Sequence, residues 1–143
     1  MTCRLIVCEK TNRWASALRS ALGRSALVVA ETRSLAGCDS ALAEAPESVV
    51  AIEVTAANVD QVVDFVVQTG CRFPRALVVA LLTEDSASAG RLMQEAGAID
   101  VIGSVLEVPR IARLARRHHA AAPPPELDFH ELVRQRMPWS ARA

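Results

Sequence analysis

Apolar residues occur along this chain in two alternating textures. Short solid runs, "RLIVC" (4–8), "ALVVAE" (26–31), "SVVAIEV" (48–54), "RALVVALLT" (75–83) and "IDVIGS" (99–104), are separated by longer stretches in which apolar residues recur every three or four positions. The first such stretch carries Trp14, Leu18 and Leu22 with Ala17 and Ala21 beside them, Asn12 as the expected N-cap and Gly23 as the expected stop. Residues 34–46 predict a weaker helix ended by Pro46. Residues 56–70 predict a helix whose face is Val59, Val62, Val63, Val66 and Val67, a pattern that overrides the poor helix propensity of valine. A fourth helix is predicted over 85–98, with a serine cap and Gly97 at its end. A fifth is predicted over 107–119, with Pro109 in the first turn, where a missing N–H costs little. The runs at 4–8, 48–54 and 75–83 lack the period-two alternation of a half-solvated strand, so they predict strands covered on both faces. Five strands alternating with five helices through short connections predict an α/β, doubly wound three-layer sandwich on a five-stranded parallel sheet.

The texture changes after His119, dividing the chain into a domain over 1–119 and an appendage over 120–143. "AAAPPP" reads as a stiff, extended breaker. Beyond it, Asp128 and Glu131 resemble a capping box, and Phe129, Val133 and Met137 recur every fourth residue with Leu132 alongside. The predicted short C-terminal amphipathic helix is too short to hold itself folded. It must dock on its own domain, on a sister subunit or on a partner, offering Phe129, Val133, Met137 and Trp139.

Composition narrows the function classes. Hydrophobic residues make up 51% and charged residues 22%, which suits a globular core, and the formal net charge of zero gives no field directed at nucleic acid. Aromatic residues are only 3%, with no Tyr, which argues against a base-stacking surface. No apolar run approaches the ~20 residues of a membrane span and no export signal is read, so a cytoplasmic protein is expected. The spacings of Cys3, Cys8, Cys38 and Cys71 match no zinc pattern, and reduced core thiols are expected. The turn "CEKTNRW" contains no glycine, so the dinucleotide fingerprint is absent. None of the three histidines falls at a strand end, which excludes a nucleophilic triad, and the adjacent His118 and His119 lack the i, i+4 spacing of a helical metal pair. Arg110, Arg113 and Arg117 share one face of the fifth helix, a stripe suited to protein contact or solvent in the absence of a nucleic-acid reader module.

Ligands of an open parallel sheet bind beyond the carboxyl ends of its strands. The residues expected there are Cys8, Glu9, Glu53, Thr83 and Ser104. Along residues 4–119 the chain resembles the receiver domain of two-component response regulators, the CheY-like, flavodoxin-like (βα)5 fold. "RLIVCEK" stands where receivers have a strand ending in two acidic residues, "VVAIEV" where they carry the phosphate-accepting Asp, and "VVALLTEDSASAGRLMQEAGAIDVIGSV" resembles their stretch from the fourth strand to the fifth. Under that resemblance Cys8 replaces the first acid, Glu9 keeps the second, Glu53 replaces the acceptor Asp, and Thr83 matches the phosphate-sensing hydroxyl. Ser104 replaces the Lys, and Val101 occupies the place of the switching aromatic residue.

These substitutions bear on chemistry. Phosphoryl transfer to a carboxylate rests on positioning and charge neutralisation, and a divalent cation asks for hard oxygen ligands. A thiol at position 8, a longer carboxylate at 53 and no cation at 104 imply a degenerate receiver, a non-enzymatic module that makes protein contacts without phosphorylation. The alternative is an atypical receiver that still accepts phosphate, and only then would Mg²⁺ be needed, with Glu9 and Glu53 as weak candidate ligands. Glu53 itself has two readings: it imitates a phosphorylated Asp by bonding Thr83, or, preferred, it ends its strand and accepts N–H groups of the next helix. The resemblance further implies a homodimer or protein-partner surface on the helix 4–strand 5–helix 5 face, while the zero net charge and the lack of a long apolar run lead to no expected nucleic-acid or membrane contact.

Overall fold

The computed structural model of the chain describes residues 3–121. The expectations for the tail, including Phe129, Val133, Met137 and Trp139, fall outside the described residues. Five strands, β1 (Leu5–Cys8), β2 (Val29–Thr32), β3 (Val49–Val54), β4 (Leu77–Leu82) and β5 (Asp100–Ile102), form one parallel sheet in the order β2-β1-β3-β4-β5. Five helices connect and follow them: α1 (Arg13–Leu22), α2 (Leu35–Glu44), α3 (Val59–Arg72), α4 (Gly90–Ala96) and α5 (Val108–Ala121). This is the expected α/β sandwich, with the reversal of strand order between β1 and β3.

Strand parity assigns each side chain to a face. Leu5, Val7, Val49, Ala51, Val79 and Leu81 pack against α1 and α5. Ile6, Cys8, Val50, Ile52, Val78 and Ala80 pack against α2, α3 and α4. Both faces are dry, which is why these strands read as solid apolar runs. Trp14, Leu18 and Ile111 are the large residues that fill the first layer, and Leu42 and Met93 are prominent in the second.

Several elements differ from the sequence pattern. The fourth helix divides into a 3₁₀ stretch, Glu84–Ala89, followed by α4. Ser86 Oγ donates to the Val54 carbonyl at 2.6 Å and accepts from Thr83 N at 2.9 Å, and such local bonds compete with the α-helical ladder. The cap is therefore Thr83, paired with Ser86, rather than a serine at the helix start. Gly90 follows at the junction, where a Cβ would press to 3.4 Å on both Leu82 and Val101. In α3 the buried stripe is Val62, Phe65, Val66 and Thr69, whereas Val67, one residue further round the helix, is 45% exposed. β2 starts at Val29 because its only neighbour is the four-residue β1. α5 runs through Ala121, alanine being the best helix former.

Leu81 is fully buried and Leu106 is 86% exposed. Leu81→Ala is expected to destabilise the fold by about 2–5 kcal/mol, and Leu106→Ala to stay within about 0.5 kcal/mol, in urea unfolding. Comparable losses at the two positions would contradict this packing.

Candidate functional site

The carboxyl edge of the sheet begins with Glu9, the residue after β1. Its side chain is only 3% exposed and turns onto the start of α1. Oε2 accepts from the amide of Ala15 at 2.8 Å, and Oε1 accepts from the amide of Trp14 at 3.1 Å and from the Thr11 hydroxyl at 3.2 Å. These two amides belong to the first turn of α1, which has no other intrahelical partner for them. Asn12 holds the N-cap position but makes no side-chain cap bond, so the capping expected of it falls to Glu9. A carboxylate in this place satisfies two orphan donors and meets the positive end of the helix.

With α1 so anchored, Trp14 packs at 1% exposure in the α1–α5 layer, and its indole Nε1 donates to Glu53 Oε2 at 3.1 Å. The parity of β3 explains the meeting. Val50, Ile52 and Val54 face the α2–α3–α4 layer, and Glu53, with Val49 and Ala51, takes the side of α1. Both sequence readings of Glu53 are corrected here. Thr83 Oγ1 donates to the Val54 carbonyl at 3.3 Å and also bonds the Asp85 carboxylate, not Glu53. The side chain of Glu53 takes no amide from α3: Asn58 closes that turn, accepting from Thr55 N at 2.7 Å and donating to the Glu53 carbonyl at 3.1 Å.

The five strand-end residues open on two clefts rather than one pocket. Cys8, Glu9 and Glu53 line a cleft of about 330 Å³ with Lys10, Arg33 and Gln61. Thr83 and Ser104 line a second with Arg13, Trp14, Asp85 and Gly103. Glu53 borders the first and Trp14 the second, so their hydrogen bond joins the two. Arg13, whose guanidinium lies 5.6 Å over the Trp14 ring, brings a cation to the second cleft. Ser104 caps a single 3₁₀ turn, accepting from Leu106 N at 3.2 Å, while Glu107 Oε2 accepts from Gly103 N at 2.9 Å and Ser104 N at 3.2 Å. Val101 is half-buried against the α4 side. Cys8 adjoins Cys38 of α2. The Cys38 thiol bonded to its sulfur and the Thr32 hydroxyl beside it lower the Cys8 thiol to about 7, against burial and the Glu53 and Glu9 carboxylates. That same bond and complete burial push Cys38 upward. Among the described residues no group of His, Cys, Asp and Glu converges as metal ligands would.

The sequence matches no family model and no curated protein. Solved structures do match. A CheY-like protein (tadZ) from Pseudomonas aeruginosa is 21% identical, covering 88% of this chain and all of that one, at a TM-score of 0.63. A response regulator from Thermotoga maritima is 15% identical over 85% of this chain and all of that one, at a TM-score of 0.70. The fold is that of a CheY-like receiver domain. An atypical orphan response regulator, reported to reveal a phosphorylation-independent regulatory mechanism, is 16% identical over 80% of this chain and 95% of that one, at a TM-score of 0.64. At these identities the likeness is one of fold.

The receiver-like fold carries a second feature at α5. Arg110, Arg113, Arg116 and Arg117 line a groove of about 700 Å³ with Ile99 and Leu114. Arg110 pairs with Asp100 and, at 3.3 Å, with Glu107. Arg116 donates to the Ala21 and Leu22 carbonyls at 2.9 and 3.0 Å, closing the end of α1. Arg113 and Arg117 make no ion pair among the described residues. Sequence pattern had grouped Arg110, Arg113 and Arg117; it missed Arg116 as a capping residue and Trp14 as the partner of Glu53. An indole N–H in a buried ring needs an acceptor, and that need was the available signal for Trp14.

Glu9→Ala leaves two buried amides unpaired and is expected to destabilise the fold by about 1–3 kcal/mol in urea unfolding. Glu53→Ala removes one half-buried acceptor and is expected to cost about 1 kcal/mol. The reverse order would contradict the capping role of Glu9.

Proposed function

We propose that this receiver-like domain is a regulatory, non-enzymatic module of bacterial signal transduction that works in the cytoplasm through protein contacts and without phosphorylation. The observation that carries the reading is the engagement of both remaining acids in structural bonds: Glu9 on the amides of α1, Glu53 on the indole of Trp14. Mg²⁺ does not fit the residues at this edge. Its hard-oxygen octahedron would have to draw Glu9 off a helix terminus and Glu53 off an indole, with a soft thiol as the third group. Ser104 supplies no positive charge for a phosphoryl group, and its backbone neighbourhood is occupied by the Glu107 carboxylate. The neighbouring fold described as phosphorylation-independent supports the reading by analogy of architecture.

Contacts are assigned to the α4–β5–α5 face, as a homodimer or with another signalling protein. Leu92, Ile99 and Leu106 are exposed there at 44%, 52% and 86%, and the arginine-lined groove adds cations along α5. Apolar residues interspersed with arginine have the character of a protein interface. The C-terminal tail, whose sequence offers Phe129, Val133, Met137 and Trp139, is assigned to the same module as a further contact element. Among the described residues no helix is long and apolar enough to cross a membrane.

Incubation with acetyl phosphate and Mg²⁺ is expected to leave the intact mass unchanged, and Mg²⁺ alone to give no saturable change in tryptophan emission. A phospho-adduct mapped to Glu53, or saturable Mg²⁺ binding in the millimolar range, would favour the working phosphoacceptor and overturn the proposal.

A further inference from the structure

Cys8 and Cys38 form a pair that none of the structural bonds at the carboxyl edge uses. Cys8 shares the parity of Ile6, which turns it toward the α2–α3–α4 layer. α2 delivers Cys38 immediately after its first turn, whose cap is Ser34 accepting from Gly37 N at 3.0 Å. The first turn of α2 rests against the end of β2 at this point: a Cβ on Gly37 would lie 3.6 Å from Thr32 Cβ, an ordinary van der Waals contact. Thr32 is the register partner of Cys8, so the seating of Gly37 on Thr32 sets the next residue, Cys38, beside Cys8 in the same buried cluster.

The two sulfurs differ in access. Cys38 is 0% exposed, whereas Cys8 is 8% exposed and lines the cleft beside Lys10 and Arg33. Of the other cysteines, Cys3 is buried on the opposite face of the sheet and Cys71 is exposed at the end of α3, so neither competes from within this cluster. A thiol that lines a cleft, backed by a fully buried one, is the arrangement of an attacking and a resolving cysteine. Disulfides in reducing compartments are transient and belong to sensing or catalysis.

We propose that Cys8 and Cys38 are an oxidisable pair, a modification site at which hydrogen peroxide entering the cleft is reduced and a disulfide tying β1 to α2 is formed. The Cys8 thiolate attacks one peroxide oxygen; the S–O bond forms as the O–O bond breaks, and the departing hydroxide takes a proton to become water. The Cys38 sulfur then attacks the Cys8 sulfenic acid; the S–S bond forms, the S–O bond breaks, and the hydroxyl leaves with the Cys38 proton as a second water. Two thiols are oxidised by two electrons and one peroxide is reduced. The inference stands on the placement of both cysteines in one cluster at the floor of the cleft and does not depend on whether Glu53 accepts phosphate.

The test uses the full chain carrying Cys71→Ser, exposed to hydrogen peroxide and mapped with trypsin. The expected result is a loss of about 2 Da in intact mass, with residues 5–10 joined to residues 34–72 in one peptide that separates on reduction. No mass loss, a crosslink that involves Cys3, or oxygen addition at Cys8 without a crosslink would each overturn the proposal. In Cys38→Ser, confirmed as folded by circular dichroism, a dimedone-trapped sulfenic acid is expected at Cys8 and at no other cysteine; its absence would count against Cys8 as the attacking thiol. Should that variant fail to fold, the peptide map of the Cys71→Ser chain decides alone.

Discussion

The bond from the Glu9 carboxylate to the first turn of α1 organises the whole carboxyl edge. It takes the amides of Trp14 and Ala15, which the helix cannot satisfy itself, and so fixes where α1 begins and how it is rotated. That rotation places Trp14 in the layer between α1 and the sheet, within reach of Glu53. Buried carboxylates need partners, and donors held by a helix terminus are partners that do not move away. The second acid then finds its own partner in the indole. Two side chains that look like a ligand pair in the sequence are consumed by the architecture, each by a neighbouring part of α1.

This arrangement also links the two clefts of the carboxyl edge. The indole–carboxylate bond joins the cleft beside Cys8 to the cleft beside Thr83 and Ser104. Around the second cleft, local caps hold the loops: Thr83 with Ser86 and Asp85 after β4, Ser104 with Glu107 after β5. The edge is thus built from side chains bonded to nearby backbone, and the polar groups present are largely those that finish strands and start helices. The proposed role, contact through the outer faces of the domain, is compatible with such a build.

Much of the fold was legible in the chain because strand burial leaves a direct signature. Solid runs such as "LVVALL" can only be satisfied between two dry layers, and the helices between them carry a one-sided stripe. Local exceptions came from polar bonds that pattern does not weigh, as at Ser86, which draws the stretch after β4 into a 3₁₀ turn. The site was less legible for a physical reason. Position along the sequence places a carboxylate at a strand end, yet its rotamer decides whether it faces a cleft, a helix terminus or an indole. Trp14 fits the i, i+4 series with Leu18 and so reads as core, which it is, while its N–H serves the site. Strand parity did contain the relation between Cys8 and α2, but which residue of α2 lies over Cys8 depends on how the helix seats on Thr32, a tertiary contact.

The central claim, that Glu53 is held by Trp14 and so unavailable to a cation, is tested most directly at the indole proton. In nitrogen-15-labelled protein, with the Trp14 resonance assigned by comparison with Trp139→Phe, the Nε1–H signal is expected to exchange slowly with solvent, to shift in Glu53→Ala, and to stay in place as Mg²⁺ is raised to about 10 mM. An indole proton that exchanges freely, or one that moves in a saturable way with Mg²⁺, would show that Glu53 is released to bind metal and would contradict the account.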